Sequence, residues 1–222
     1  MSTLLSDYAL ALLAAILASR LLRTVADDSM GRARQAWALA LAATAAGALL
    51  GGTYHGFEDS LAPLAAMILW KSTTLMIGAA SLALVCGAVD ATMIGSARVR
   101  SLGIATGLYV LYAAWMLFHD EYVWVIAAYG TGLVVVLVLL GFAGASLHRA
   151  RRLFVWSVVI SIVAAGVQQL ELGLSRFINH NDVYHLVQMA ALYFLYRAGR
   201  SLTVEPQTTT PAKLVTTERR AS

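Results

Sequence analysis

The chain has 222 residues, of which 59% are apolar and only 13% charged. Soluble domains average roughly 45–50% apolar and 25% charged, so a soluble enzyme, a disordered protein and a secreted disulfide-stapled domain are excluded. The one cysteine, Cys86, rules out a disulfide within the chain and reads as a packed apolar residue, and the formal charge is +4.

Seven apolar segments follow in chain order: Leu4–Leu22, Gln35–Thr53, Leu61–Val85, Ser101–Phe118, Tyr122–Phe142, Leu153–Leu172 and Asp182–Tyr196. About 20 apolar residues cross a bilayer as a helix, so composition and pattern predict an all-α, seven-helix transmembrane bundle. These are continuous runs, not ten-residue alternating ones, which excludes an outward β-barrel. The first segment lacks a basic leader, contains Asp7 and is followed by Arg20 and Arg23, so it reads as a true span and not a signal peptide. The second is built from alanine and glycine, a composition that lets helices approach closely and predicts a central position. Pro63 falls in the first turn of the third, where a missing N–H costs little. The seventh is short, and its start is expected near Phe177 if the chain is tilted or re-entrant there.

The charges give the expected orientation. With the N-terminus outside, the inner loops hold Arg20, Arg23, Arg32, Arg34, Arg98, Arg100, Arg149, Arg151 and Arg152. The inner tail adds Arg197, Arg200, Lys213, Arg219 and Arg220, leaving only Lys71 and Arg176 on the outer half. The positive-inside rule then predicts seven spans, N-terminus out and C-terminus in, in the cell membrane. The +4 charge reflects this topology and gives no reason to expect nucleic-acid binding. Residues 1–200 form the expected transmembrane domain, and the Thr/Pro-rich tail, 201–222, is too polar to bury a core and is expected to be disordered.

This topology gathers His55, His119, His180 and His185 at the outer ends of helices, with Glu58, Asp59, Asp120, Glu121, Glu171 and Asp182 around them; His148 alone lies inside. Imidazoles and carboxylates on one face are what a metal or acid–base site requires; loops are also polar, and histidines tolerate interfaces. His55 ends the small-residue helix in Gly51-Gly52-Thr53-Tyr54-His55-Gly56, where a ligand could approach closely, or where a Tyr-His pair simply caps a span. In Asn179-His180-Asn181-Asp182-Val183-Tyr184-His185, Asn181 and His185 share a helix face and Asp182 sits three before His185. Asp182 serves equally as an N-cap. His180, about 140° round the helix from His185, joins the same site only from the preceding loop. Lys71 lies roughly 15 Å of helix rise into the third span, a depth that calls for a carboxylate partner, with Glu171 the first candidate. The aromatics Trp115, Trp124, Tyr109, Tyr112 and Tyr129 read as belt and packing residues.

A seven-span chain with His at the end of its second span and a His-bearing turn opening its seventh resembles the CREST superfamily of alkaline ceramidases, adiponectin receptors and Per1-like hydrolases. The resemblance implies a seven-helix bundle holding zinc on one His of the second helix and an HxxxH pair of the seventh, with the metal's water cleaving lipid amides or esters. His55 and His185 match the family's pattern. Asn181 stands at the other histidine of the pair, Gly51 stands at a family serine, and the third span offers Lys71, Ser72 and Thr73 but no acid. The third zinc ligand would then be His180 or His119, with Glu171, Asp59 or Glu58 as base or ligand and Lys71 alongside.

Two functions are therefore expected: a zinc-dependent intramembrane hydrolase acting on membrane lipid, or a non-enzymatic seven-helix binding or sensor protein with a polar outer pocket. A haem carrier is disfavoured by the single inner histidine, and a retinal protein by the absence of lysine from the seventh segment.

Overall fold

The computed structural model describes residues 2–175 and 178–203. They form seven helices: α1 (Ser2–Leu22), α2 (Gly31–Phe57), α3 (Pro63–Thr92), α4 (Gly95–Phe118), α5 (Tyr122–Phe142), α6 (His148–Gln169) and α7 (His180–Arg200). There is no strand among the described residues. The first six helices are long and apolar enough to cross a membrane.

Most helices run further than the apolar stretches. α2 begins at Gly31, where Arg32 and Arg34 continue the helical bonding, and α3 continues to Thr92, since Ala88 and Val89 are still buried in the core. Pro63 occupies the first turn of α3, as its position predicts. Phe177 and residues 204–222, which include most of the expected tail, lie outside the described residues.

α2 packs against α1, α3 and α7, as its small residues predict. Gly87 of α3 shows why: a Cβ there would strike the Trp37 ring. Trp37 meets Phe154 at 5.5 Å between ring centroids. With Leu21, Leu41, Leu84 and Leu192, all essentially fully buried, they form the apolar core. At the arginine-rich end Arg34 is buried, donating to the Leu202 carbonyl at 2.7 Å and pairing with Asp28 at 2.6 Å. That carbonyl follows the C-terminus of α7, where a cation is favoured.

The packing order is α3–α2–α1–α7–α6 and back to α3 through α5, which touches α6 only lightly. α4 packs closely on α3 alone. α7 runs parallel to α1, since its start meets Ser6 and Asp7 while Gly199 lies against Leu21. It is antiparallel to α6, with Ser157 donating to the Ala191 carbonyl and Gln168 to Asn181.

Candidate functional site

One end of the bundle collects the N-termini of α1, α3, α5 and α7 and the C-termini of α2, α4 and α6. There the first and last helices are joined by side chains. Asn179 caps α7, accepting from the Asp182 N–H at 3.1 Å while Asp182 Oδ2 accepts from the Asn179 N–H at 3.0 Å. This capping box frees Asp182 Oδ1, which accepts from Ser6 Oγ at 2.9 Å. The N-cap is therefore Asn179 and not Asp182, because a one-turn earlier start lets two residues satisfy each other's backbone.

His185 lies one turn further along the same face of α7. Its Nδ1 is 2.9 Å from Ser6 Oγ and its Nε2 is 3.1 Å from Asp7 Oδ1. Asp7, Asp182 and His185 are all buried, and Ser6, which also donates to the Thr3 carbonyl, is half-buried. Asp7 Oδ2 is buried and has no hydrogen-bond partner among the described residues. Gly52 of α2 makes this arrangement possible: a Cβ there would lie 2.6 Å from the Asp7 Cβ.

Lys71 does not meet Glu171. Its Nζ donates to the carbonyls of Met116 and His119 at 2.7 and 2.8 Å and pairs with Asp120 at 2.8 Å. The open carbonyls ending α4 carry the negative end of the helix dipole, which supplies the counter-charge at that depth. Glu171 instead turns the chain after α6 in the left-handed region, φ +52°, with its side chain exposed.

The other candidates are dispersed. His55 is exposed, its ring 6.5 Å from that of Trp70, and Tyr54, Trp70 and Tyr122 continue the aromatic patch. His119 stacks flat on Trp115 at 3.6 Å. Asp59 lies exposed in the turn after α2, and His180 opens α7 half-buried. Asn181 accepts from Gln168 Nε2 at 3.3 Å.

These residues do not fit a zinc ion held by three protein ligands. Both nitrogens of His185 are engaged by Ser6 and Asp7. Among the described residues no three His, Cys, Asp or Glu side chains are grouped closely enough to hold a metal. Sequence reasoning missed Ser6 and Asp7 as site members. Their signal was present: Asp7 is an acid inside an apolar run, and such groups rarely lack a partner.

The chain belongs to a family of unknown function (DUF6962), which matches residues 2–204. No curated protein and no solved structure matches it.

Proposed function

We propose a seven-span protein of the cell membrane, N-terminus outside and C-terminus in the cytoplasm, that binds or senses through the polar site joining α1 to α7. Two features support the span count. α7 runs beside α1 for the length of the bundle, and the arginines among the described residues gather at the end opposite the site. The CREST resemblance is carried no further than the scaffold, and no step is derived through zinc.

Asp7 Oδ2 carries the binding reading. A buried carboxylate oxygen without a partner costs free energy that a ligand's N–H or O–H recovers, so the ligand class is a small ammonium- or hydroxyl-bearing molecule. The test is thermal unfolding of the detergent-purified chain with methylammonium titrated in. A saturable rise in Tm of about 2–4 °C, absent in Asp7→Asn, is expected for a site approaching saturation. No shift in the parent protein overturns the reading.

A second reading rests on connectivity. Ser6 Oγ, His185 and Asp7 stand in the order nucleophile, base and orienting acid, which would keep lipid ester or amide hydrolysis without a metal. It ranks second because the Ser6 hydroxyl is shared with the Asp182 carboxylate and the Thr3 carbonyl, which hold its proton in place. Labelling of Ser6 by a fluorophosphonate, with lipid turnover lost in Ser6→Ala, would promote it over the binding reading.

A further inference from the structure

α4 and α5 both lean on α3 without packing closely on one another, and between them lies a cleft of about 780 Å³. Its walls are overwhelmingly apolar, and four of their polar side chains are turned to protein partners. Tyr109 and Tyr112 donate to the Leu75 and Thr74 carbonyls, Ser81 to the Ala128 carbonyl and Ser101 to Met93 Sδ. A wall so largely apolar, with both tyrosines and both serines turned away, selects hydrocarbon over a polar ligand.

The cleft also has a direction. On α4 the lining runs from Ser101 through Ile104, Leu108 and Leu111 to Trp115, a rise of about 21 Å, most of the ~30 Å thickness of a bilayer's hydrocarbon. Trp115 and Trp124 close the end nearer His119. At the opposite end Arg100 lies one turn below Ile104 on the same stripe. Arg100 is exposed and has no carboxylate partner among the described residues, whereas its neighbour Arg98 is tied to Asp90 at 2.5 Å. A free guanidinium at the mouth of an apolar slot is complementary to a phosphate carrying an acyl chain.

We infer that the α4–α5 cleft holds an acyl chain of an anionic phospholipid of the inner leaflet, with Arg100 on its phosphate. This rests on the membrane-spanning, N-terminus-out reading and is independent of the α1–α7 site.

The test uses the full chain reconstituted in phosphatidylcholine vesicles with a trace of phosphatidylglycerol carrying a photoreactive diazirine in its acyl chain. Crosslinks are expected to concentrate on the peptides containing Ile104, Leu108 and Thr131, and to be competed away by excess unlabelled phosphatidylglycerol. Filling the cleft with Ala105→Trp and Ala127→Trp should abolish the competable labelling. Arg100→Ala, at an exposed position outside the packed core, should weaken retention by about five-fold, the contribution of one surface arginine to an anionic lipid. Labelling spread evenly over the exposed faces of α4, α5 and α6, equal labelling by a phosphatidylcholine probe, or α4-to-α4 crosslinks between two copies would each overturn the assignment. Release of the chain from vesicles by carbonate would overturn the membrane reading with it, whereas even labelling of a retained protein overturns the cleft alone.

Discussion

His185 binds α1 through both ring nitrogens, so its removal leaves two buried partners, Ser6 and Asp7, without their contact. His185→Ala should cost about 2–3 kcal/mol of stability in denaturant unfolding of the detergent-solubilised protein. A double-mutant cycle with Asp7→Asn should show a coupling of about 1–2 kcal/mol, and additive effects would show that the pair is not a working contact. At the other end of the bundle Asp28 gives a pH prediction. Its hydrogen bond from Arg34 holds the carboxyl below its ordinary value of 3.8. A depressed carboxyl stabilises the fold fully above the unfolded value and loses that contribution as pH falls through the folded one. The protection of the amides across residues 28–34, taken over their intrinsic exchange rates, should therefore begin to fall as pH drops below the ordinary value of 3.8, and the pH dependence should flatten in Asp28→Asn. Of these residues the sequence made His185 and Asp182 conspicuous by their place in the opening turns of an apolar segment. It could not show that α1 supplies their partners, because that depends on the first and last helices lying side by side, a contact spanning 179 positions between Ser6 and His185.

At the scale of the element, α4 is held differently from the rest. It packs closely only on α3, and Lys71 ties down its final turn through two carbonyls and Asp120. The carbonyls and not the carboxylate should dominate, since the Asp120 side chain is 71% exposed and well screened. Lys71→Met is expected to lose about 1–2 kcal/mol and to loosen the end of α4, seen as faster proteolysis in the turn between Phe118 and Tyr122, while Asp120→Asn loses under about 1 kcal/mol. Equal losses would mean the ion pair is the anchor. The depth of Lys71 in the third apolar segment correctly signalled that it needed a counter-charge. The sequence points to Glu171, whereas the partners are Asp120 and two helix-end carbonyls, which carry no signature in the side chains. Helix existence was readable throughout from apolar runs, but ends were not: hydrogen bonding continues through Gly31–Arg34 and Asp90–Thr92, where apolar patterning has stopped. The start of α7 moved for a comparable reason, the reciprocal Asn179–Asp182 cap being a stronger start signal than the first apolar residue.

The whole molecule is asymmetric along the bundle axis. Among the described residues the arginines, the buried Arg34 clasp and the Trp37–Phe154 core occupy one half, and the His185 cluster, Lys71 and the aromatic patch around Trp70 occupy the other. This division is legible in the amino-acid sequence, because the alternation of basic and non-basic loops assigns each helix end to a side. The seventh helix is the element on which the topology turns. It carries Asp182, His185, Arg197 and Arg200 and is not among the six helices apolar enough to span on composition alone. Yet both of its ends are tied to the ends of α1, through Asp7 and Ser6 at one and Gly199 against Leu21 at the other. A helix lying flat on the membrane could not satisfy both ties while α1 spans. In the proposed topology its polar residues face protein at one end and would sit at the headgroup level at the other, so a lower apolar content would suffice. The proposed seven spans would put the two termini on opposite sides. A reporter fused after Leu202 should therefore be active in its cytoplasmic form and silent in its external form, with the reverse for a fusion before Ser2. Termini on the same side would make α7 an interfacial helix and would require the Asp7–His185 contact to be dismantled in the membrane.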